Sequence, residues 1–257
     1  MNKGLNYKFF STHAKKIEKF LNANIRNSKN ITEEFFNTQS LLESLYRTSF
    51  IIRRRDLKES KEILFTAFVK NLFALYTSIE LTNKGLYGPA RLQLRYVYEF
   101  LILAKYCDST NDLKLMNTWE EGREYISLDQ KIFRYMTKPN HKELQEFWWF
   151  LCKYTHPTIY SMQNSLDADK DLIYQTKFTH GLIRILIYMN YYLLSNLIFN
   201  HQVRYTAKIY KPKIPAQSKR MGNKIKNFNK YFSKDGKLLI GFYKSEWLFD
   251  PALKRPN

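Results

Sequence analysis

Along the first 200 residues, apolar positions return at intervals of three and four, the spacing of one face of an α-helix. Phe9, Phe10, Ile17, Phe20 and Leu21 predict an amphipathic opening helix. Asn30 or Thr32 can cap a second one, with Glu33 and Glu34 in its first turn and Leu41, Leu42, Leu45 and Ile52 along its apolar face. Arg53, Arg54 and Arg55 close it, where cations complement the C-terminal end of the dipole. A third helix is expected from about Lys58 to Asn83, on Ile63, Leu64, Phe68, Leu72, Leu75 and Ile79, with Gly85 as its stop. Gly88-Pro89 opens a fourth, with proline at the first helical position, where its missing N–H costs nothing. That helix, to Cys107, is apolar nearly all round through Leu92, Leu94, Val97, Phe100, Leu101, Ile102 and Leu103. Such a helix belongs in the middle of a bundle.

Shorter polar helices follow at about 111–122 and 124–137, and Pro139 breaks the run. The next element, His141 to Tyr154, carries Phe147-Trp148-Trp149-Phe150 and is ended by Pro157. A loop over 157–169 leads into a long helix from about Lys170 to Asn200. Its stretch from Gly181 to Phe199 approaches the roughly 20 apolar residues of a membrane span. Arg184 inside that stretch, with Asn190, Ser195 and Asn196, favours a buried helix over a membrane anchor.

Beyond Tyr210 the pattern changes. Lys211-Pro212-Lys213-Ile214-Pro215 cannot continue a helix and reads as an extended linker. Lys234-Asp235-Gly236-Lys237 carries the Asp-Gly signature of a tight turn. The expectation is an all-α protein: a helical bundle over residues 1–205, then a basic extension over 206–257 with a short β-hairpin near 231–243.

Composition agrees with helices. A hydrophobic share of 44%, with 19 Phe and 19 Tyr, suffices for a core and excludes global disorder. Eight Gly and 7 Pro, concentrated at a few positions, argue against a many-turned β fold. Cys107 and Cys152 are too few to staple a chain of this length, and no secretory leader precedes Tyr7. A reducing cytoplasm is the expected compartment.

Charge changes the picture most. The chain carries a net +19, of which +11 falls in residues 201–257, where 14 Lys and Arg face 3 acids. Such a segment repels itself unless a polyanion neutralises it, and nucleic acid is the commonest soluble polyanion. RNA is expected in preference to DNA. Lys208, Lys211, Lys213, Lys219, Arg220, Lys224, Lys226 and Lys230 would contact phosphates, and Tyr210, Phe228, Tyr231 and Phe232 offer stacking surfaces. The competing reading is a non-enzymatic homo-oligomeric module, whose tail docks on its own bundle or on a protein partner.

Candidate chemistry is sparse. Arg91, Arg95 and Glu99 fall at i, i+4 and i+8 along one face of the apolar helix. A charged stripe there either reaches solvent, pairs across helices, or lines a pocket. His156, held before Pro157 in Tyr154-Thr155-His156-Pro157-Thr158, has a near-neutral side chain suited to proton transfer, or it simply caps the helix. If the two helices pack antiparallel, Arg95, Glu99 and His156 can meet as a catalytic pocket. Asp167, Asp169 and Asp171 start like a calcium loop, but Leu172 and Phe178 stand where that loop needs Gly and Glu. No Gly-rich phosphate loop, zinc-protease motif or nucleophile elbow occurs, and no metal or cofactor is expected. Arg134 and His141 match a ribonuclease spacing, yet Pro139 interrupts the helix which that motif requires.

Two segments carry a resemblance. Gly88-Pro89-Ala90-Arg91 through Arg95 and Glu99, with Tyr154-Thr155-His156 some 55 residues later, resembles a group of bacterial helical proteins similar in outline to HEPN-type bundles. The resemblance spans roughly residues 60–200. It implies an all-α bundle, a homodimer formed through helices, and a place in phage defence or a toxin-like system. The ribonucleases of that group need Arg four to six residues before His on one helix; Phe150, Leu151 and Cys152 stand around those spacings before His156.

Overall fold

The structure is a computed structural model, and it describes residues 59–110, 127–133, 141–155 and 172–199, with isolated positions before residue 24 and between 112 and 122. These described residues form α1 (Glu59–Asn83), α2 (Tyr87–Thr110), the single turn α3 (Leu128–Lys131), α4 (His141–Thr155) and α5 (Leu172–Phe199). They contain no strand, so the described part is all-α. The second expected helix, the hairpin near 231–243 and the boundary at 205 lie outside the described residues.

Local chemistry explains the α1–α2 turn. Leu86 N–H bonds back to Leu81 C=O at 2.8 Å and Gly85 N–H to Thr82 C=O at 3.0 Å. This is the paired closure of a Schellman end. Its left-handed position falls on Gly85, at φ 73°, where a side chain would be strained. The chain then re-enters a helix two residues earlier than Pro89 alone would place it. Pro89 becomes the third helical residue, still within the first turn, where its N–H would have no intrahelical acceptor.

α2 is the hub. It packs against α1, α4 and α5, and Ala90, Leu94, Val97, Tyr98, Leu101, Ile102 and Ala104 are buried. α1 adds Phe68, Leu72, Leu75 and Ile79; α4 adds Leu144, Trp148 and Leu151; α5 adds Ile183, Leu186, Ile187 and Leu193. One assignment needs correction: Leu92 is 50% exposed, and Tyr96, one turn on, is exposed with it. α2 is therefore apolar on three sides rather than all round. Phe20, expected on an apolar face, is exposed as well.

Helix directions follow from the cross-links. Tyr98 meets Leu144, Glu99 meets Trp148 and Arg95 meets Thr155. From Glu99–Trp148 to Arg95–Thr155 the position number rises on α4 as it falls on α2, so the two helices are antiparallel. α5, the segment weighed as a membrane span, is a core helix of this bundle. No helix among the described residues is long and apolar enough to cross a membrane.

Candidate functional site

The charged stripe of α2 does not form the helix's solvent edge. Arg91 is only 2% exposed, and its surroundings come from two other helices. Its guanidinium lies 4.5 Å from the Tyr154 ring at the end of α4 and 5.0 Å from the Phe178 ring near the start of α5. Both fall within the range of cation–π attraction. Nη2 donates to Gln175 Oε1, and Nε and Nη2 each donate to Thr179 Oγ1 at 3.3 Å. Gln175 and Thr179 stand one turn apart on α5, so both acceptors share the face turned to α2. Thr179 also donates to the Gln175 carbonyl at 2.8 Å, which fixes its oxygen as an acceptor toward arginine. A turn earlier, Tyr87 and Thr176 pair their hydroxyls at 2.8 Å. Burial raises the Tyr87 hydroxyl's pKa; the Thr176 bond and Arg91 oppose that rise.

Arg95 and Glu99 continue the stripe toward α4. Arg95 Nε donates to Glu99 Oε1 at 2.8 Å, and Arg95 Nη1 donates to Thr155 Oγ1 at 2.7 Å. Trp148 Nε1–H donates to the same Glu99 oxygen at 3.0 Å. The side chains of Arg95 and Glu99 are 16% and 29% exposed, so this pair sits at the rim of the α2–α4 interface. The structure thus brings Arg95 and Glu99 together, and brings Arg95 to the residue before His156. His156 lies outside the described residues, as do the eight basic positions from Lys208 to Lys230.

Two buried groups escaped the sequence reading. His180 is buried on α5; burial first, and repulsion from Arg184 one turn on, lower its pKa to about 4. A single histidine in an apolar helix was the available signal. Tyr98 is fully buried and donates to the Leu144 carbonyl at 2.7 Å. The thiols of Cys107 and Cys152 are free and buried, and burial pushes them up to about 12 and about 11. A raised thiol pKa disfavours the thiolate that a nucleophile needs. Among the described residues, no group of His, Cys, Asp and Glu is placed to hold a metal ion.

Chemically, the arrangement supplies a buried guanidinium with neutral acceptors and a second guanidinium at the rim, shared by a carboxylate and a hydroxyl. The first locks helices together; the second is bonded to Thr155, the last residue of α4. No protein-family model, curated protein or solved structure matches the chain.

Proposed function

We propose that this protein binds nucleic acid, RNA in preference to DNA, as a helical component of a phage-defence or toxin-like system. The observation that carries the reading is the distribution of charge: residues 201–257 hold 14 Lys and Arg against 3 acids. Arg91 and Arg95, the two arginines of the α2 stripe, are engaged between helices. Lys208, Lys211, Lys213, Lys219, Arg220, Lys224, Lys226 and Lys230 supply the phosphate contacts, and the neighbouring aromatics stack on bases. The defence setting rests on the resemblance to HEPN-type bundles.

Salt dependence tests it. Each neutralised phosphate on a single strand contributes a slope of about −0.7 in log affinity against log salt. The full chain should show a steep slope with single-stranded RNA, and removal of residues 206–257 should flatten it. Equal RNA affinity of both forms at every salt concentration would refute the reading. A salt-insensitive homodimer without RNA affinity would establish the interaction-module alternative.

A second reading concerns Arg95, Glu99 and His156 as a catalytic pocket. It is favoured by the Arg95–Thr155 bond, which ties the stripe to the residue preceding His156. In this reading Glu99 holds the imidazole's tautomer and Arg95 offers a planar fork to a phosphate. An Arg95→Ala, His156→Ala double variant that keeps full biological activity would sink it.

A further inference from the structure

One side chain touches both the last turn of α4 and the first turns of α5. Arg91 lies 4.5 Å from the Tyr154 ring and 5.0 Å from the Phe178 ring, and it donates to Gln175 and Thr179. The two rings also meet each other, with centroids 6.1 Å apart. We propose that Arg91 is the positioning residue of this corner: it sets the distance and orientation between the end of α4 and the start of α5. The inference deepens the pocket reading, on which it rests for its functional consequence, because Thr155 and its Arg95 contact belong to the same helix end.

The choice of residue type supports this. A guanidinium is planar and weakly hydrated, so its faces can contact rings while its edge donates several hydrogen bonds. A lysine ammonium is a compact, strongly hydrated point charge and cannot do both. Tyr87–Thr176 joins α2 to α5, and Arg95–Thr155 joins α2 to α4. Arg91 meets both α4 and α5. A guanidinium that merely filled space could be replaced by methionine without moving the two helix ends.

The test uses the full chain with Lys153→Cys and Lys177→Cys, two exposed positions flanking the corner. Nitroxides attach there, while Cys107 and Cys152 are buried. Double electron–electron resonance should give one narrow distance peak with Arg91 present. Arg91→Lys and Arg91→Met should both lose that single peak. Leu101→Val, a core change in the same helix away from the corner, should retain it. An unchanged narrow peak in both Arg91 variants overturns the proposal. Should those variants fail to fold by circular dichroism, Gln175→Met and Phe178→Leu each remove one contact. A shifted or broadened peak is then expected, and an unchanged one overturns the proposal equally. RNA plays no part in the measurement, so a chain that binds no RNA, or whose pocket does no chemistry, leaves this result readable.

Discussion

Arg95 and Thr155 stand 60 positions apart in the chain and 2.7 Å apart in space. The same guanidinium holds Glu99, which in turn accepts from the Trp148 indole, so four residues form one line across the α2–α4 interface. Arg95→Met keeps the apolar stem and deletes the donors. At a partly exposed rim the loss should be about 1–2 kcal/mol, more than an exposed ion pair and less than a buried one. Urea denaturation reads it directly. A change under roughly 0.5 kcal/mol would class the line with ordinary surface pairs.

Leu101 and Leu92 offer a contrast within one helix. Leu101 is 0% exposed and Leu92 50%. Leu101→Asp places an unpaired charge in the core and should prevent folding or cause aggregation. Leu92→Asp should leave stability within roughly 0.5 kcal/mol of the parent. Equal melting temperatures for Leu101→Asp and the parent would remove α2 from the core.

That contrast marks how far the sequence could be read. The existence of α1, α2, α4 and α5 was legible from a regular 3.6 spacing, with Gly85, Pro89 and Pro157 as punctuation, but α2 begins two residues before Pro89 and runs three past Cys107. Burial around α2 was less so: Leu92 matches Leu94 in composition, and only the placement of α1 and α4 decides which is covered. Arg91 was one of three charges on a stripe, and nothing local separated it from Arg95. Its acceptors, Gln175 and Thr179, lie in a different helix, and their one-turn spacing gains meaning only once α5 docks on α2. The antiparallel packing of α2 and α4 was a condition of the pocket expectation, and the cross-links meet that condition.

His180 should make stability depend on pH. In the fold its pKa is lowered from 6.5 to about 4. Above pH 6.5 the imidazole is neutral in both states, and its contribution is fully present. Below that, the unfolded chain takes up a proton that the fold refuses, so stability falls as pH drops from 6.5 toward 4. The accumulated loss is roughly 3 kcal/mol by linkage. His180→Gln should flatten the curve over this window. An identical pH dependence in parent and variant would contradict the burial of this side chain.

Glycine changes should have opposite signs at two positions. A Cβ at Gly181, within α5, meets nothing within 4 Å. Gly181→Ala should therefore stabilise by about 0.5–1 kcal/mol through the backbone entropy of the helix. Gly85 holds a positive φ, and Gly85→Ala should cost about 1 kcal/mol. Thermal melts of the two variants should move in opposite directions.

The corner around Arg91 also has a consequence during synthesis. A ribosome delivers Arg91 well before its acceptors: Gln175 follows 84 positions later and Thr179 88. The α1–α2 hairpin is local and can close early, since short loops are the cheapest to form. Until α5 emerges, the guanidinium must remain in water, and the half-made hairpin cannot bury that side of α2 without stranding a charge. Order of synthesis thus sets a cost on closing that face of α2 early, a cost that the last described helix removes by supplying the acceptors.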